Sequence, residues 1–327
     1  MHDDEHAIGG YFELELANHG PIFHSEHVSL NSGRNCLEYL LSVDPKKKLY
    51  IPYYTCDVLL QPIRKLGIDF EFYHIDLTLE PIFDFGCLND QASILYTNYF
   101  GLKDQYIEKE LPALTKHAIV DNSQAFFSSS SIHFPCFYSP RKFFGVPDGG
   151  FLSTNLRSDF EFSQAESVER FEHLIVRIEK GPSKGYPLFK AADQSLDYRP
   201  IEFMSSLTRR ILQSIDYKYV QEKRRANYKI VADYLDPHNS LILEGFNATA
   251  TPMSYPFYFP SRDFRQILTD NKIYTPKYWP NVHEWLAKKA ESLEISLADF
   301  LIPIPIDQRY STNDMETIAH QILKEIS

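Results

Sequence analysis

The sequence predicts an α/β protein: a three-layer α/β/α arrangement around a mostly parallel mixed sheet, followed by a smaller C-terminal α+β unit. Two observations predict it. From about Leu30 to Asn155, short apolar runs alternate with helical patterns, the rhythm of βαβ units whose strands are covered on both faces. After Asn155 long charged stretches take over, and beyond Pro237 short strands return among helices. The 327 residues suffice for two lobes, and the change of character divides them near residue 200, into 1–200 and 201–327.

Each element has its own signal. "NSGRNCLEYLLSV" places Cys36, Leu37, Leu40 and Leu41 on one helical face. "KLYIPYY" is a short apolar strand, and "TCDVLLQPIRKLG" reads as a helix closed by Gly67. Five candidate strands follow: "IDFEFYHID", "ASILYTNYF", "HAIVDNSQAFF", "IHFPCFYS" and "GGFLSTN". Residues 159–180 and 201–235 read as long helices, the charge run in "YKYVQEKRRANYKIVADYL" being a solvated face. "MSYPFYFP" and "FLIPIPI" are later strands. The last helix is expected to start at Asn313 as N-cap, with Glu316 three residues on and Ile318, Ile322, Leu323 and Ile326 on one face.

Composition excludes several classes of function. A formal net charge of -11 leaves no basic footprint for nucleic acid. No apolar run approaches the roughly 18 residues of a membrane span, and "MHDDEHAIGG" lacks the apolar core of a signal peptide. His2 and His6 flank three acids; they read as a solvated tail rather than a metal site. Cys36, Cys56, Cys87 and Cys136 have no CxxC spacing and read as free thiols of a cytoplasmic protein.

The chemistry is expected at the carboxyl ends of the parallel strands, where such sheets bind ligands. "HAIVD" ends its apolar run at Asp121. "NSGRN" opens a helix, so the amides of Gly33 and Arg34 with the Ser32 hydroxyl form a candidate anion cradle. Lys142 follows "IHFPCFYS" and precedes the turn of Asp148, Gly149 and Gly150. A carboxylate, an anion cradle and a lysine are together what pyridoxal 5'-phosphate needs. The cradle suits its phosphate, the carboxylate its ring nitrogen and the lysine amine its aldehyde. Each alone is commoner as a helix start, a turn residue or a surface lysine; their order and spacing carry the signal.

From about Leu30 to its last helix, the chain resembles the DegT/DnrJ/EryC1/StrS family of pyridoxal-phosphate-dependent nucleotide-sugar aminotransferases, of the aspartate-aminotransferase fold type. "SGRNCL" is similar to the family's phosphate element "SGT-x-AL", and "IPYYTC" to its "VPSYTF". "VDNSQ" is similar to its "EDAAQ", and "YSPRKFFGVPDGG" to its lysine and "GEGG" elements. The resemblance implies that Lys142 bonds the cofactor aldehyde, Asp121 pairs with the ring nitrogen and Gln124 bonds near the ring hydroxyl. Ser139 and the Ser32–Arg34 turn would hold the phosphate. "NKIYTPKYWP" occupies the place of the substrate segment, which makes Lys277 and Tyr278 candidate substrate contacts.

The chain departs from the family pattern at several positions. Arg34 stands for Thr, Lys277 stands for His, and only two residues separate Ser139 from Lys142. Cys56 falls where an aromatic normally stacks on the cofactor ring, with Tyr53 or Tyr54 as substitutes. The glycines after Asp148 are expected to let backbone pass close to Lys142.

The implied reaction is transfer of an amino group, with glutamate as donor, to a nucleotide-linked keto sugar in surface-polysaccharide or secondary-metabolite sugar biosynthesis. The resemblance also implies a homodimer, with "LDYRP" (Leu196 to Pro200) crossing to the partner's site. A dehydratase or deoxygenase of the same family is a second reading, less favoured because such members commonly replace the lysine. A non-catalytic sugar-nucleotide-binding relative is a third, against which Lys142, Asp121 and Gln124 stand intact.

Overall fold

The computed structural model describes residues 8–156, 160–243, 250–287 and 291–326; His2 and His6 lie outside them. Strand β1 (Val28–Leu30) leads into helix α1 (Gly33–Val43), β2 (Lys48–Pro52) and α2 (Leu60–Lys65). Then come β3 (Asp69–Ile75), β4 (Pro81–Ile82), β5 (Ala92–Thr97), the short α3 (Leu111–Leu114), β6 (Ala118–Asn122), β7 (Cys136–Tyr138) and β8 (Gly150–Ser153). These strands form one sheet in the order β1-β8-β7-β6-β5-β2-β3-β4. The run β7-β6-β5-β2-β3 is parallel, and β1, β8 and β4 are antiparallel at its margins.

Alternation along the strands sorts side chains to the two faces. Leu95, Ile119, Phe137 and Leu152 meet Leu37, Leu40 and Leu41 of α1 and Ile63 of α2 on one face. Ile94, Tyr96, Val120, Cys136 and Tyr138 turn to the other face, where residues from the C-terminal third such as Val220, Leu297 and Leu301 cover them. Both faces are thus dry, as a parallel sheet requires.

Beyond β8 lie α4 (Glu172–Lys180), α5 (Pro182–Gln194), α6 (Ser206–Gln213), α7 (Tyr217–Leu235), β9 (Ser254–Tyr258), α8 (Arg265–Asp270), α9 (Val282–Trp285), α10 (Leu293–Phe300), β10 (Leu301–Pro305) and α11 (Thr312–Ile326). Strands β9 and β10 pair antiparallel. Their Tyr255, Phe257, Ile302 and Ile304 share a core with Tyr228 and Val231 of α7 and Met315 and Ile318 of α11. No helix among the described residues is long and apolar enough to cross a membrane.

Three expectations of local structure need correction. The helix expected over 159–180 begins only at Glu172, after a single 3-10 turn at Val168–Arg170. Ahead of it, residues 163–165 are extended, because the Ala165 amide donates to the Phe203 carbonyl and the Phe203 amide to that of Ser163. That pairing also keeps 201–204 out of a helix, and Asp216 caps a fresh start, so 201–235 is two helices. The last helix starts two residues earlier than expected. Ser311 and Asp314 form a reciprocal box: the Ser311 amide donates to the Asp314 carboxylate (2.7 Å) and the Asp314 amide to the Ser311 hydroxyl (3.3 Å).

The Gly-Gly turn is the tightest point of the sheet. Gly149 has φ of +118° and donates its amide to the Asn31 carbonyl (2.8 Å). A Cβ on Gly150 would lie 2.5 Å from the Ser32 carbonyl carbon and oxygen and 2.8 Å from Cys36 Sγ. The glycines let β8 pass close under the start of α1, not close to Lys142 as the sequence suggested. Asp148 is fully buried and faces α6, accepting from the Ser205 hydroxyl (2.9 Å), the Ser205 amide (3.2 Å) and the Thr208 hydroxyl. Burial pushes its carboxyl up, against those hydrogen bonds.

Gly150→Ala is expected to destabilise the fold by about 3 kcal/mol, the upper end of overpacking costs, because the colliding atoms are backbone and cannot rotate away. Urea unfolding of the two proteins measures this; an unchanged midpoint would contradict the packing described.

Candidate active site

Four parallel strands deliver side chains to one level. Asp121 is the last residue but one of β6; Tyr53 to Cys56 follow β2; Asn98 to Gly101 follow β5; Ser139 to Lys142 follow β7. Chain order reverses between β2 and β5, so this level is the crevice where an open α/β sheet binds ligands.

Asp121 is buried and lies opposite Thr97 in the β5–β6 register. Its carboxylate accepts the Ser123 amide at 2.7 Å, and its carbonyl accepts the Asn98 amide at 2.9 Å. Burial pushes the carboxyl above its usual range, opposed by the charge of Lys142 and the bonds to Ser123. A cation brought to this carboxylate would relieve the cost of its burial.

Gln124 is 1% exposed, with Oε1 accepting the Phe100 amide at 2.9 Å. Its Nε2 is buried without a hydrogen-bond partner among the described residues, as is the Thr97 hydroxyl one strand away. An orphaned donor inside a protein costs roughly 1–3 kcal/mol, so this atom is placed to serve an acceptor from outside the chain. Phe100 itself adopts φ of +59°, a conformation unfavourable for a bulky residue that the Gln124 bond helps to hold.

Lys142 closes a one-turn 3-10 helix, Pro140–Lys142, in which the Pro140 carbonyl accepts the amides of both Phe143 (3.0 Å) and Phe144 (2.9 Å). Its side chain is exposed and, among the described residues, makes no hydrogen bond or ion pair. Its charge reaches both Asp121 and Cys56. Cys56 lies within range of Lys142, Arg34 and the Tyr278 hydroxyl; burial pushes its thiol up while the two cations pull it down.

Neither neighbouring tyrosine takes the place of Cys56. Tyr53 stacks on Phe72 (4.8 Å, 17°), and Tyr54 is fully buried edge-on against Trp279.

The cradle residues are more occupied than their sequence suggests. The Ser32 hydroxyl caps α1, accepting the Asn35 amide at 3.1 Å and donating to the Asn35 side chain. The Arg34 guanidinium turns to Asp197, with which it forms an ion pair, and to Gln61 Oε1 (3.2 Å). Gly33 faces Ser123: a Cβ there would lie 3.4 Å from its hydroxyl, so the helix start sits directly beside the Asp121 loop. The Ser139 hydroxyl is half-buried and makes no hydrogen bond among the described residues. The Leu196–Pro200 segment, expected to reach a second subunit, holds its own α1 through Asp197 and through the Arg199 carbonyl, which accepts from Asn35 (3.0 Å).

Of the two candidate substrate contacts, Tyr278 lies within range of Cys56. Lys277 is taken up by Asp299 on α10 (2.8 Å), which His283 also contacts (3.0 Å). Sequence reasoning missed Phe100, whose amide holds Gln124. "YFG" directly after a strand was the signal for it.

No protein-family model matches the chain, and no curated protein matches it in sequence. Solved structures do. The chain is similar to a DegT DnrJ EryC1 StrS aminotransferase from Brucella abortus, 14% identical, with a TM-score of 0.62 over 91% of this chain and 85% of that one. It is similar to the sugar aminotransferase CalS13 from Micromonospora echinospora, 16% identical, with a TM-score of 0.56 over 94% and 92%. Spr1654 from Streptococcus pneumoniae, solved in a PLP form, is 12% identical, with a TM-score of 0.60 over 93% and 91%. The likeness is one of fold: the three-layer arrangement is that of these aminotransferases, along nearly the whole chain.

The two serines of the cradle are expected to behave differently. Ser32→Ala removes a working N-cap and should cost about 1 kcal/mol of stability, whereas Ser139→Ala removes no bond within the protein. Equal unfolding midpoints for the two variants would contradict the assignment of the cap.

Proposed function

We propose that this chain is a pyridoxal-phosphate-dependent aminotransferase of the DegT/DnrJ/EryC1/StrS family that transfers an amino group, from glutamate, to a nucleotide-linked keto sugar. One observation carries the reading: an exposed lysine, a buried carboxylate and a buried amide with a free donor stand together at the ends of adjacent parallel strands. The shared fold and the cofactor state of Spr1654 support it.

Bound pyridoxal phosphate supplies a conjugated cationic ring that draws electrons from a carbon bearing the amino group. On this reading Asp121 holds the proton of the ring nitrogen, and the cationic ring in turn stabilises its buried charge. Gln124 Nε2 donates to the ring oxygen. The start of α1, with Ser139, faces the phosphate, and Arg34 joins it only by leaving Asp197. Cys56 lines the ring, and Tyr278 forms part of the substrate wall; Lys277 reaches a diphosphate only by leaving Asp299. Lys142 Nζ would hold the cofactor aldehyde, and its free amine would move a proton to and from the reacting carbon, which its open position permits. A homodimer closing the exposed side of Lys142 is part of the proposal.

Purified protein supplied with pyridoxal phosphate should absorb in the visible, and borohydride should bleach it and tag the peptide containing Lys142. Lys142→Ala should lose both properties. Reduction that tags a different lysine would contradict the assignment.

Cofactor binding should weaken as pH falls through the raised Asp121 value, above the usual carboxylate pKa of about 4, because only the ionised form pairs with the ring cation. In Asp121→Asn that pH dependence should vanish and turnover should fall by orders of magnitude. An equally pH-dependent Asn variant, followed by equilibrium titration, would remove Asp121 from the role.

A further inference from the structure

Arg224, on α7, is one of the largest fully buried side chains in the protein, 2% exposed. Nothing in the chemistry above uses it, yet it spans the two halves of the site. Its NH1 donates to the Met253 carbonyl (2.9 Å) and the Pro252 carbonyl (3.3 Å), at the entry to β9. Its Nε donates to Gln308 Oε1 (3.1 Å), in the loop after β10. The guanidinium carbon lies 4.6 Å from the centre of the Phe143 ring.

These contacts close a circuit. Gln308 Nε2 donates to the Phe143 carbonyl at 3.3 Å, one residue after Lys142. On the other side, the Met253 amide donates to the Phe100 carbonyl (2.8 Å), and the Phe100 amide donates to Gln124 Oε1 (2.9 Å). The hydrogen-bonded path thus runs from Phe143 through Gln308, Arg224, Met253 and Phe100 to Gln124. Every link but the last, Phe100 to Gln124, involves a residue of the C-terminal third of the chain. Burial pushes the guanidinium down to about 10, with Asp307 opposing, so Arg224 stays charged at neutral pH. A planar fork with several donors and a face that stacks on an aromatic ring suits this place, and a lysine would not fill it.

We propose that Arg224 is a positioning residue that fixes the turn carrying Lys142 relative to Gln124, and with it the distance between the reacting amine and the groups that orient the ring. The assignment rests on the proposed function in taking Lys142 as the reacting amine; the clamp itself does not. Lys142 has no bond of its own to hold it, so its place depends on the Phe143–Phe144 backbone, which Pro140 ties from within and Gln308 with Arg224 from without. Loss of Arg224 leaves three oxygen acceptors and the Phe143 ring without their partner. Loss of Gln308 cuts its two links, to Arg224 and to the Phe143 carbonyl.

The test compares Arg224→Met, Arg224→Lys and Gln308→Leu with the parent protein by hydrogen exchange without cofactor and by pyridoxal phosphate titration. In Arg224→Met and Gln308→Leu, the Phe143 and Phe144 amides should exchange about tenfold faster relative to the amides of α1, the size of one lost buried hydrogen bond. Cofactor affinity should fall by a similar factor. Arg224→Lys should recover only part of both. Should Arg224→Met fail to fold, Gln308→Leu alone decides the matter. Unchanged exchange at Phe143 and Phe144, or equal acceleration at every buried amide, would overturn the clamp. A parent protein that binds no pyridoxal phosphate would overturn the functional reading, while the exchange data would still judge Arg224.

Discussion

Backbone touches backbone where β8 crosses beneath the start of α1, and the rest of the site depends on that contact. Gly150 leaves no room for a side chain against the Ser32 carbonyl. Asn31 ties the same point: its carbonyl accepts the Gly149 amide, its side chain donates to the Pro200 carbonyl (3.0 Å), and its amide donates to the Glu202 carbonyl (2.9 Å). The β7–β8 connection, with Lys142 on it, is thereby held at the level of the α1 N-terminus. The same approach puts Gly33 beside Ser123, two residues past Asp121. One close contact thus sets the cradle, the carboxylate and the lysine at a common height.

A second constraint comes from polar groups that the fold buries. Asp148 sits in the middle of the connection and is satisfied by the first turn of α6. Gln124 and Arg224 likewise bury hydrogen-bonding capacity, and each spends it on backbone groups of distant segments. Such groups are costly unless paired, so their pairing forces those segments into one arrangement. The exceptions at these strand ends are Gln124 Nε2 and the Thr97 hydroxyl, both buried without a hydrogen-bond partner among the described residues.

The charge pattern near the crevice is more self-contained than the chain alone suggests. Arg34 pairs with Asp197 and Lys277 with Asp299, so two basic residues that read as ligand contacts already have partners in the protein. Exposed pairs of this kind are worth little, about 0–1 kcal/mol, and a charged ligand competes with them at small cost. Lys142 is different. It is exposed, unpaired among the described residues, and near a buried carboxylate.

By itself the sequence determined the α/β alternation, Asp121 near the end of its strand, Lys142 just after the next one, the helix start at Ser32 and the need for glycine after Asp148. Each is a local property: side-chain period, a capping hydroxyl or backbone freedom acts within a few residues. Which group those glycines accommodate was not local, and the structure moved it from Lys142 to Ser32. The same holds for Ser163–Ala165, whose polar, helix-compatible composition gave way to pairing with Phe203, and for Lys277, whose partner lies 22 residues away. Arg224 and Gln308 are the clearest case. They are 84 residues apart, and each looks in sequence like an ordinary polar residue. Only the packing of α7 and the loop after β10 against the Lys142 turn makes them neighbours, because a buried charge must be met by whichever acceptors the fold brings to it.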